Sequence, residues 1–289
     1  MHDSGVYEEA APPAPLRGVA RCVWRSASAG PKRIVPDGCL DLVVGDGGVF
    51  IAGPDTSAWS SVTRPNAELR GVRFTPGRAS AVLGVAADEL RDRRVSLDEL
   101  WGHAGEVLAE QLLSGELTPA QAVASRLSAE VPPPDPAVAA LIARLDAGAA
   151  RVAEAAAMLT QPAQVAEAAA MLALPGPARV TRAGGPDVAA ARVEDPAGSV
   201  TVSERRLRRR FVQAVGYGPA TYLRVTRFQR AVALASRAPG LAALAAAAGY
   251  ADQAHLSRDC RALTGLTPRA YFRGPSTVDA PVRDRRRSA

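Results

Sequence analysis

Short apolar segments alternate with turn residues over the first 80 positions of the chain. Apolar stretches of three to seven residues that are bounded by Gly, Pro and Asp are typical of β-strands joined by tight turns. The predicted strands cover 18–24, 33–35, 40–44, 49–52, 59–62 and 69–74. This regular spacing predicts a small barrel or a sandwich.

From residue 77 onward the apolar positions take a helical spacing. Ser96-Leu-Asp-Glu99 predicts a capping box, in which the two side chains bond to free N–H groups at a helix start. Thr118 precedes Pro119, and proline is favoured at the first helical position. The proline-rich segment 132–136 predicts a stiff linker, and the alanine-rich residues 137–172 are predicted to be helical.

The last third of the chain predicts two short helices separated by a tight turn. An apolar helix over 241–248 would end at Gly249, because glycine readily adopts the left-handed conformation of a helix end. Asp252 can cap the next helix, 253–263, by accepting N–H groups of its first turn. Such a pair suits entry into the DNA major groove, although an ordinary helical hairpin has the same pattern. The apolar residues of the second helix predict one buried face: Leu256, Cys260 and Leu263.

The charge is distributed unevenly along the sequence. Residues 199–289 contain 17 Arg and 5 acidic residues, a balance of +12, whereas the whole chain carries +6. Residues 1–198 therefore carry −6. A concentration of positive charge in one third points to a polyanionic partner such as nucleic acid. A solvated basic surface is the alternative, because Arg outnumbers Lys 34 to 1 and inflates the signal.

Several classes of protein fit the sequence poorly. There is no run of about 18 apolar residues and no basic, apolar signal peptide at the N-terminus, so we expect a cytoplasmic protein of bacterial type without a membrane partner. The cysteines at 22, 39 and 260 are odd in number and far apart, which predicts neither a disulfide framework nor a metal cluster. With three histidines in the chain, a His-based catalytic set is not expected, and we expect no cofactor.

Residues 203–272 resemble the tandem helix-turn-helix domain of AraC/XylS-type transcription regulators. The resemblance implies seven helices in two helix-turn-helix units, which are bridged by a long helix at about 219–237. Each unit would present one helix to successive segments of the major groove. The matching positions include Leu207, Phe211, Gly216-Tyr-Gly-Pro219, Tyr222, Phe228, Gly249-Tyr250, Leu256, Gly265 and Pro268.

The resemblance also assigns candidate DNA contacts by position. In the second unit they are Gln253, Ala254, His255 and Arg258, and in the first they are Arg205, Arg208 and Arg209. Arg suits the N7 and O6 atoms of guanine, and Gln suits adenine, each through paired hydrogen bonds. His255 has packing between helices as its alternative role. For Arg206 and Arg210 we favour phosphate contacts or plain solvation.

This sequence departs from the family pattern in three places. The supporting helix of the first unit should end just before Ser203, but its candidates are two copies of Val-Ala-Glu-Ala-Ala-Ala-Met-Leu, at 152–159 and 165–172. A glycine- and proline-rich segment, 173–201, follows and is predicted to be a flexible loop. Which copy packs behind the recognition helix is left open. Cys260 stands where the family usually has an aromatic residue, and Gly218 stands where it usually has Ser.

The first 110 residues resemble, more loosely, an uncharacterised domain that precedes such helix-turn-helix modules. The resemblance rests on 33–42, 52–56, 71–77 and 89–93. In this architecture the N-terminal domain commonly senses a small molecule or mediates dimerisation. Four polar residues beside the strands could line a pocket, or could instead cap turns and form an Arg–carboxylate pair: Asp37, Asp41, Asp55 and Arg73.

Together these patterns predict an α+β multidomain protein with a β-rich barrel-like or sandwich-like N-terminal domain and an all-α C-terminal tandem helix-turn-helix domain. The expected function is a non-enzymatic, sequence-specific transcription regulator that binds double-stranded DNA. A small-molecule effector, a second copy of the chain and RNA polymerase are further candidate partners. The alternatives are a DNA-targeted enzyme that uses Cys39 as an alkyl acceptor, and a non-specific DNA-binding module with a degenerate first unit. The predicted parts are 1–130 (sensor or dimerisation domain), 131–172 (linker and helices), 173–201 (loop), 202–273 (DNA-binding domain) and 274–289 (disordered basic tail).

Overall fold

The computed structural model describes residues 6–27, 30–45, 47–64, 67–127, 133–148, 151–157 and 204–273. Three sequence predictions fall outside these residues: the loop at 173–201, the basic tail at 274–289 and the second octapeptide copy.

The N-terminal region is rich in strands, as predicted. Its strands are β1 (Val6–Ala10), β2 (Ala20–Ala27), β3 (Gly30–Ile34), β4 (Asp41–Gly45), β5 (Gly48–Ala52), β6 (Trp59–Thr63), β7 (Glu68–Phe74) and β8 (Arg94–Ser96). Six of them form an antiparallel sheet in the order β1-β2-β7-β4-β5-β8, and β3 pairs with β6 in a separate two-stranded ribbon. Among the described strands the large sheet does not close into a barrel, since β1 and β8 are its edges.

The two faces of the large sheet have different neighbours. Leu42 and Val44 of β4 are buried in a hydrophobic core beneath the sheet. Asp41 and Val43, which alternate with them, line a cavity on the other side. This separation follows from the strand geometry, because successive side chains point to opposite faces.

Four helices follow or flank the strands and cover the core face of the sheet. They are α1 (Ser80–Leu83), α2 (Leu97–Trp101), α3 (His103–Ser114) and α4 (Pro119–Arg126), with 3₁₀-helices at Ala14–Leu16 and Ala87–Leu90. The predicted helix starts are confirmed, but the capping box at Ser96 is only half formed, because the Glu99 carboxylate pairs with Arg93 instead of the Ser96 N–H. The Ser96 hydroxyl accepts a hydrogen bond from the Glu99 N–H (3.4 Å), and the Thr118 hydroxyl accepts one from the Gln121 N–H (3.2 Å).

The C-terminal region is entirely helical in its described part. Its seven helices are α5 (Pro136–Asp146), α6 (Val152–Ala157), α7 (Glu204–Val215), α8 (Pro219–Leu234), α9 (Leu241–Ala248), α10 (Gln253–Thr264) and α11 (Pro268–Arg273). Helix α8 is the long bridging helix, and it ends three residues earlier than the predicted 237. No helix in the described part of the chain is both long and apolar enough to cross a membrane.

The two regions share a hydrophobic core. Val35, from the loop after β3, is buried among residues of α5, α7 and α8 that include Leu141, Phe211 and Phe228. Gly38 lies against the ring of Tyr222, so that a Cβ at position 38 would sit 3.0 Å from Tyr222 Cε2. The β-rich region is therefore packed directly onto the helical region.

Candidate nucleic-acid interface

Helices α9 and α10 form a helix-turn-helix unit with the predicted turn. Gly249 ends α9 with φ of 85°, which is the left-handed conformation that glycine adopts without strain. Asp252 begins α10, and its carboxylate accepts a hydrogen bond from the His255 N–H at 2.6 Å. Both local signals in the sequence are thus confirmed, and they fix the angle at which α10 leaves the turn.

Helix α10 has one fully buried face and one exposed face. Leu256, Cys260 and Leu263 have no exposed surface. At about 100° per residue, the residues on the opposite side cover an arc of about 140°. That exposed arc is formed by Gln253, Ala254, Ser257, Arg258 and Arg261. It offers an amide, a hydroxyl and two guanidinium groups on one helix face.

His255 lies at the margin of that arc and contacts the protein itself. Its ring packs edge-on against Tyr250, with the centroids 5.0 Å apart and an interplanar angle of 83°. Its Nε2 atom lies 3.6 Å from one carboxylate oxygen of Asp259. The other carboxylate oxygen of Asp259 lies 3.5 Å from Arg224 Nε of α8. Burial raises the pKa of Asp259, and the Arg224 guanidinium opposes that rise. These contacts hold one side of the His255 ring within the protein, and a base contact by this residue stays a prediction.

Helix α7 occupies the corresponding place in the first unit. Leu207, Phe211 and Val215 form its buried face. Its exposed residues include Arg205, Arg208 and Arg209, which fall within an arc of about 100° that runs from beside Val215 to the side opposite Leu207. The structure therefore brings the three candidate arginines of the first unit together on one solvent-facing surface.

Arg210 does not belong to that surface. Its guanidinium pairs with the carboxylate of Asp135, the residue that caps α5. Asp135 also accepts hydrogen bonds from the N–H groups of Ala137 (3.1 Å) and Val138 (3.2 Å). The prediction of plain solvation is therefore wrong for Arg210, because its charge ties α7 to the start of α5. A phosphate contact of Arg210 stays a prediction.

The described part of the first octapeptide copy packs against the first unit. Residues 152–157 form α6, where Ala155 is buried and Val152 is partly buried in the core shared by α5, α7 and α8. The second copy lies outside the described residues. Which copy supports the first unit therefore stays a prediction.

The β-rich domain contacts both helix-turn-helix units. Gly216, which follows α7 with φ of 98°, faces Pro54 so closely that a Cβ there would lie 2.2 Å from Pro54 Cγ. At the second unit, the Ala58 N–H donates to the Leu263 carbonyl oxygen (2.7 Å). Nearby, the Arg33 guanidinium donates to the Thr264 carbonyl oxygen (2.8 Å). These bonds satisfy carbonyl groups that a helix end otherwise leaves unpaired.

Sequence reasoning missed part of this arrangement. Ser257 and Arg261 lie on the same face as Gln253, one and two turns further along, and the helical period of 3.6 residues would have identified them. Arg33 and Ala58 gave no comparable signal, because their bonds to α10 join positions about 200 residues apart in sequence.

The four polar residues predicted beside the strands both line a pocket and form Arg–carboxylate pairs. Arg73 Nε lies 3.2 Å from carboxylate oxygens of both Asp37 and Asp41, and Asp37 also accepts a bond from the Cys39 N–H (3.0 Å). Asp55 does not cap a turn but pairs with Arg94 through two bonds of 2.7 and 2.8 Å. The four predicted residues also line the cavity above the sheet.

The cysteines have the environment of structural rather than reactive thiols. Cys22, Cys39 and Cys260 are all buried. Burial raises the pKa of Cys22 to about 12 and raises those of Cys39 and Cys260 as well. Cys39 lies in the loop before β4 rather than within a strand, and Arg21 lies 3.8 Å from its sulfur. Within the described residues, no group of three or more His, Cys, Asp or Glu side chains could hold a metal ion.

Comparisons with known proteins agree with this geometry. Residues 197–274 match a family model described as a helix-turn-helix domain, of the AraC type. Residues 8–96 match a domain of unknown function, DUF6597. No curated protein sequence matches the chain. Among solved structures, ToxT from Vibrio cholerae O395 is similar over 86% of this chain and 95% of its own, at 10% identity and a TM-score of 0.34, which is too distant to carry an argument.

The family matches cover the same two regions that the fold separates. The strand-rich region contains the domain of unknown function, and the helices from α7 to α11 lie within the helix-turn-helix match. The protein is therefore a DNA-binding transcriptional regulator, with an AraC-type helix-turn-helix domain behind an N-terminal domain of unknown function.

Proposed function

We propose that α7 and α10 are the two recognition helices and that each enters a segment of the DNA major groove. The observation that carries this proposal is that both helices bury one apolar face and expose a face rich in Arg and amide groups. Residues 204–273 contain 13 Arg and 3 acidic residues, so the surroundings of both helices attract phosphates.

The exposed face of α10 has the chemistry of direct base readout. Gln253 and Arg258 are exposed near its N-terminal end, the end that enters the groove in helix-turn-helix proteins. Ala254 lies between them on the same face and suits contact with a thymine methyl group. On this basis Gln253 reads adenine and Arg258 reads guanine. His255 contacts Tyr250 and Asp259 and supports the helix instead.

Helix α7 has a simpler surface. Arg205, Arg208 and Arg209 supply three positive charges on one face, and the exposed amide of Gln213 lies one turn beyond Arg209. They can bind guanines or phosphates, and phosphate contacts position a protein without reading the sequence. The first unit therefore contributes affinity and register, with base readout where an arginine meets guanine.

The N-terminal domain is proposed to sense a small molecule or to mediate homodimerisation, and RNA polymerase is a candidate partner at promoters. We also place the protein in the cytoplasm.

The environment of Cys39 favours a non-enzymatic regulator over an alkyl acceptor. The thiolate is the reactive form of cysteine, and the burial of Cys39 raises its pKa and so disfavours the thiolate. Stoichiometric transfer of a methyl group from damaged DNA to Cys39 would contradict the non-enzymatic role.

Selection of the full chain on random duplexes tests the proposal. We expect a motif with two conserved segments, whose centres lie about 10 base pairs apart because successive major-groove segments face the protein once per helical turn. Recovery of one segment would mean that only α10 reads DNA and that the first unit is degenerate. Recovery of no motif would mean non-specific binding.

A further inference from the structure

A cavity of about 390 Å³ lies between the large sheet and the β3–β6 ribbon. Its floor is formed by the sheet face that the N-terminal helices leave uncovered. Trp24, Val43, Phe50 and Leu69 come from four strands and line this face. The sequence neighbours of Val43 and Phe50 point into the core below: Leu42, Val44, Val49 and Ile51. The cavity therefore follows from the two-residue period of the strands.

The walls of the cavity are aromatic and aliphatic. Trp24 and Phe50 lie on the sheet side, and Trp59 lies on the ribbon side. Gly71 makes room for the Trp24 indole, since a Cβ at position 71 would lie 2.6 Å from Trp24 Cζ2. The indole N–H then donates to Asp41 at 2.7 Å. The remaining lining is largely polar, and six of its side chains are charged. A cavity of this volume that combines apolar walls with fixed polar groups is typical of small-molecule sites and accommodates roughly 15–20 non-hydrogen atoms.

The acidic groups of the cavity are matched by arginines of the same domain. Asp37 and Asp41 share Arg73 at 3.2 Å, and Asp55 pairs with Arg94 through two bonds. The Lys32 ammonium also lines the cavity and donates a hydrogen bond to the Ser26 hydroxyl, so three acidic and three basic side chains balance one another there. A ligand with a net charge would upset this balance, because a buried charge without a partner is costly. The cavity chemistry therefore favours an uncharged ligand.

The β3–β6 ribbon connects this cavity to the DNA-binding domain. Lys32 and Ile34 of β3 line the cavity, whereas Arg33 between them reaches the other way and bonds to the Thr264 carbonyl oxygen at the end of α10. Ala58, just before β6, bonds to the carbonyl oxygen of the preceding residue of α10. One side of the ribbon is a cavity wall, and the other side holds the C-terminal end of the recognition helix.

We propose that this cavity binds an uncharged, flat and mostly apolar small molecule, and that the β3–β6 ribbon transmits its occupancy to α10. The binding step stands independently of DNA. The transmission step rests on the proposed role of α10 as a recognition helix. Because a ligand shifts an equilibrium only through its different affinity for two arrangements, the ribbon must hold α10 differently in the occupied and empty states.

Binding is tested on the full chain without DNA. The probe is N-phenyl-1-naphthylamine, an uncharged aromatic amine whose fluorescence rises in apolar surroundings. We expect saturable binding at a one-to-one ratio. The sulfonated analogue 8-anilinonaphthalene-1-sulfonate has the same rings with a negative charge, and we expect at least tenfold weaker binding. An absence of saturable binding, or an equal affinity for the sulfonate, would overturn the proposed ligand class.

Two variants locate the probe. Ser61→Trp places an indole on the cavity side of β6 and should weaken probe binding at least tenfold. Ser114→Trp, at the exposed end of α3, is the matched control and should leave it unchanged. Phe50→Ala removes a ring from the opposite wall and should weaken binding several-fold, so the site is tested even if the first variant does not fold. Unchanged binding in both folded cavity variants would place the probe elsewhere and refute the site.

Transmission is tested with a duplex of the selected motif. Affinity for this duplex without probe establishes the DNA-binding function first, so a failure there is distinct from a failure of the cavity. A saturating probe should then change DNA affinity about fivefold or more. The Arg33→Ala variant should still bind the probe while its DNA affinity no longer responds. An unchanged DNA affinity in the probe-saturated native protein would show that the ribbon transmits nothing.

Discussion

Replacing Arg258 by alanine separates base readout from general attraction to DNA. Arg258 is exposed on α10, and its guanidinium makes no hydrogen bond or salt bridge with any described residue. Its loss should leave the free energy of unfolding within about 0.5 kcal/mol of the native value, as for other exposed positions. Any larger effect on DNA binding would then come from the interface itself.

The size of the effect follows from the contact that the geometry allows. A bidentate bond from one arginine to guanine contributes about 1–3 kcal/mol of discrimination against the wrong base. Arg258→Ala should therefore weaken binding to the selected motif by about 5- to 150-fold. The lost charge also weakens binding to every duplex, and that smaller part shrinks as salt is raised because it comes from counterion release.

Fluorescence anisotropy with a motif duplex and a scrambled duplex, at two salt concentrations, measures both parts. Arg17→Ala is the matched control, since Arg17 is an exposed arginine of the N-terminal domain and its removal changes the net charge equally. We expect the Arg258 variant to lose affinity mainly for the motif, and the Arg17 variant to lose little for either duplex. Equal losses on both duplexes would mean that Arg258 contacts only phosphate. No loss on either would mean that this face of α10 does not meet DNA.

Four further substitutions test the packing and the electrostatics of the fold. Gly218→Ser should raise the melting temperature by about 1 °C, because Gly218 caps α8 in an extended conformation that allows a capping hydroxyl. Gly216→Ala should lower the melting temperature through backbone strain and a steric clash. The opposite order of the two melting temperatures would refute the two backbone conformations. Arg210→Ala should cost about 1 kcal/mol of unfolding free energy while DNA affinity changes less than twofold, because its partner is Asp135; a large loss of affinity would restore the phosphate role. Burial raises the pKa of Asp41 from its ordinary value to about 6, so the folded state binds this proton more tightly than the unfolded chain. Between pH 7 and pH 5 the native protein should therefore gain about 1 kcal/mol of stability relative to Asp41→Asn in urea unfolding, and a constant difference would contradict the raised pKa.

The local elements could be predicted from the sequence because their signals are local. Gly249 and Asp252 mark the turn and the cap before α10, and Thr118 marks the start of α4, each within four residues of the bond that it makes. Strands β1 and β8 were missed for the converse reason. β1 is an edge strand of mixed polarity with one neighbour, and β8 has three residues, so neither shows a clear alternation.

The docking of the domains could not be predicted in the same way. Arg33 and Thr264 are 231 residues apart, and nothing in either local pattern indicates that they meet. Arg210 was misjudged for a similar reason, since an arginine in a basic run gives no sign of a distant carboxylate partner. The exposed faces of α7 and α10 could be predicted from the helical period alone. The surfaces that hold these two helices in their orientation depend on the tertiary fold and could not.

The contacts of α7 also indicate how the first unit tolerates the long segment that precedes it. The described chain leaves α6 at Ala157 and resumes at Glu204, so 46 residues separate α6 from α7. Helix α7 is nevertheless held by its own buried face, by the pair with Asp135 and by the contact of Gly216 with the N-terminal domain. None of these contacts depends on the length of the connection.

Deleting residues 173–201 should therefore leave the DNA-binding surface in place. The sequence predicts a loop there, and shortening the connection from 46 to 17 residues lowers the entropy cost of closing it by about 1 kcal/mol. We expect unfolding free energy to rise by up to about that amount, with affinity for the two-segment motif unchanged within twofold. Urea unfolding and anisotropy on the deletion variant measure the two quantities. The deletion variant could instead keep its stability and lose affinity for the half of the motif that α7 reads. That result would show that 173–201 belongs to the DNA interface, because the packing of α7 would be intact while its contact with DNA was lost.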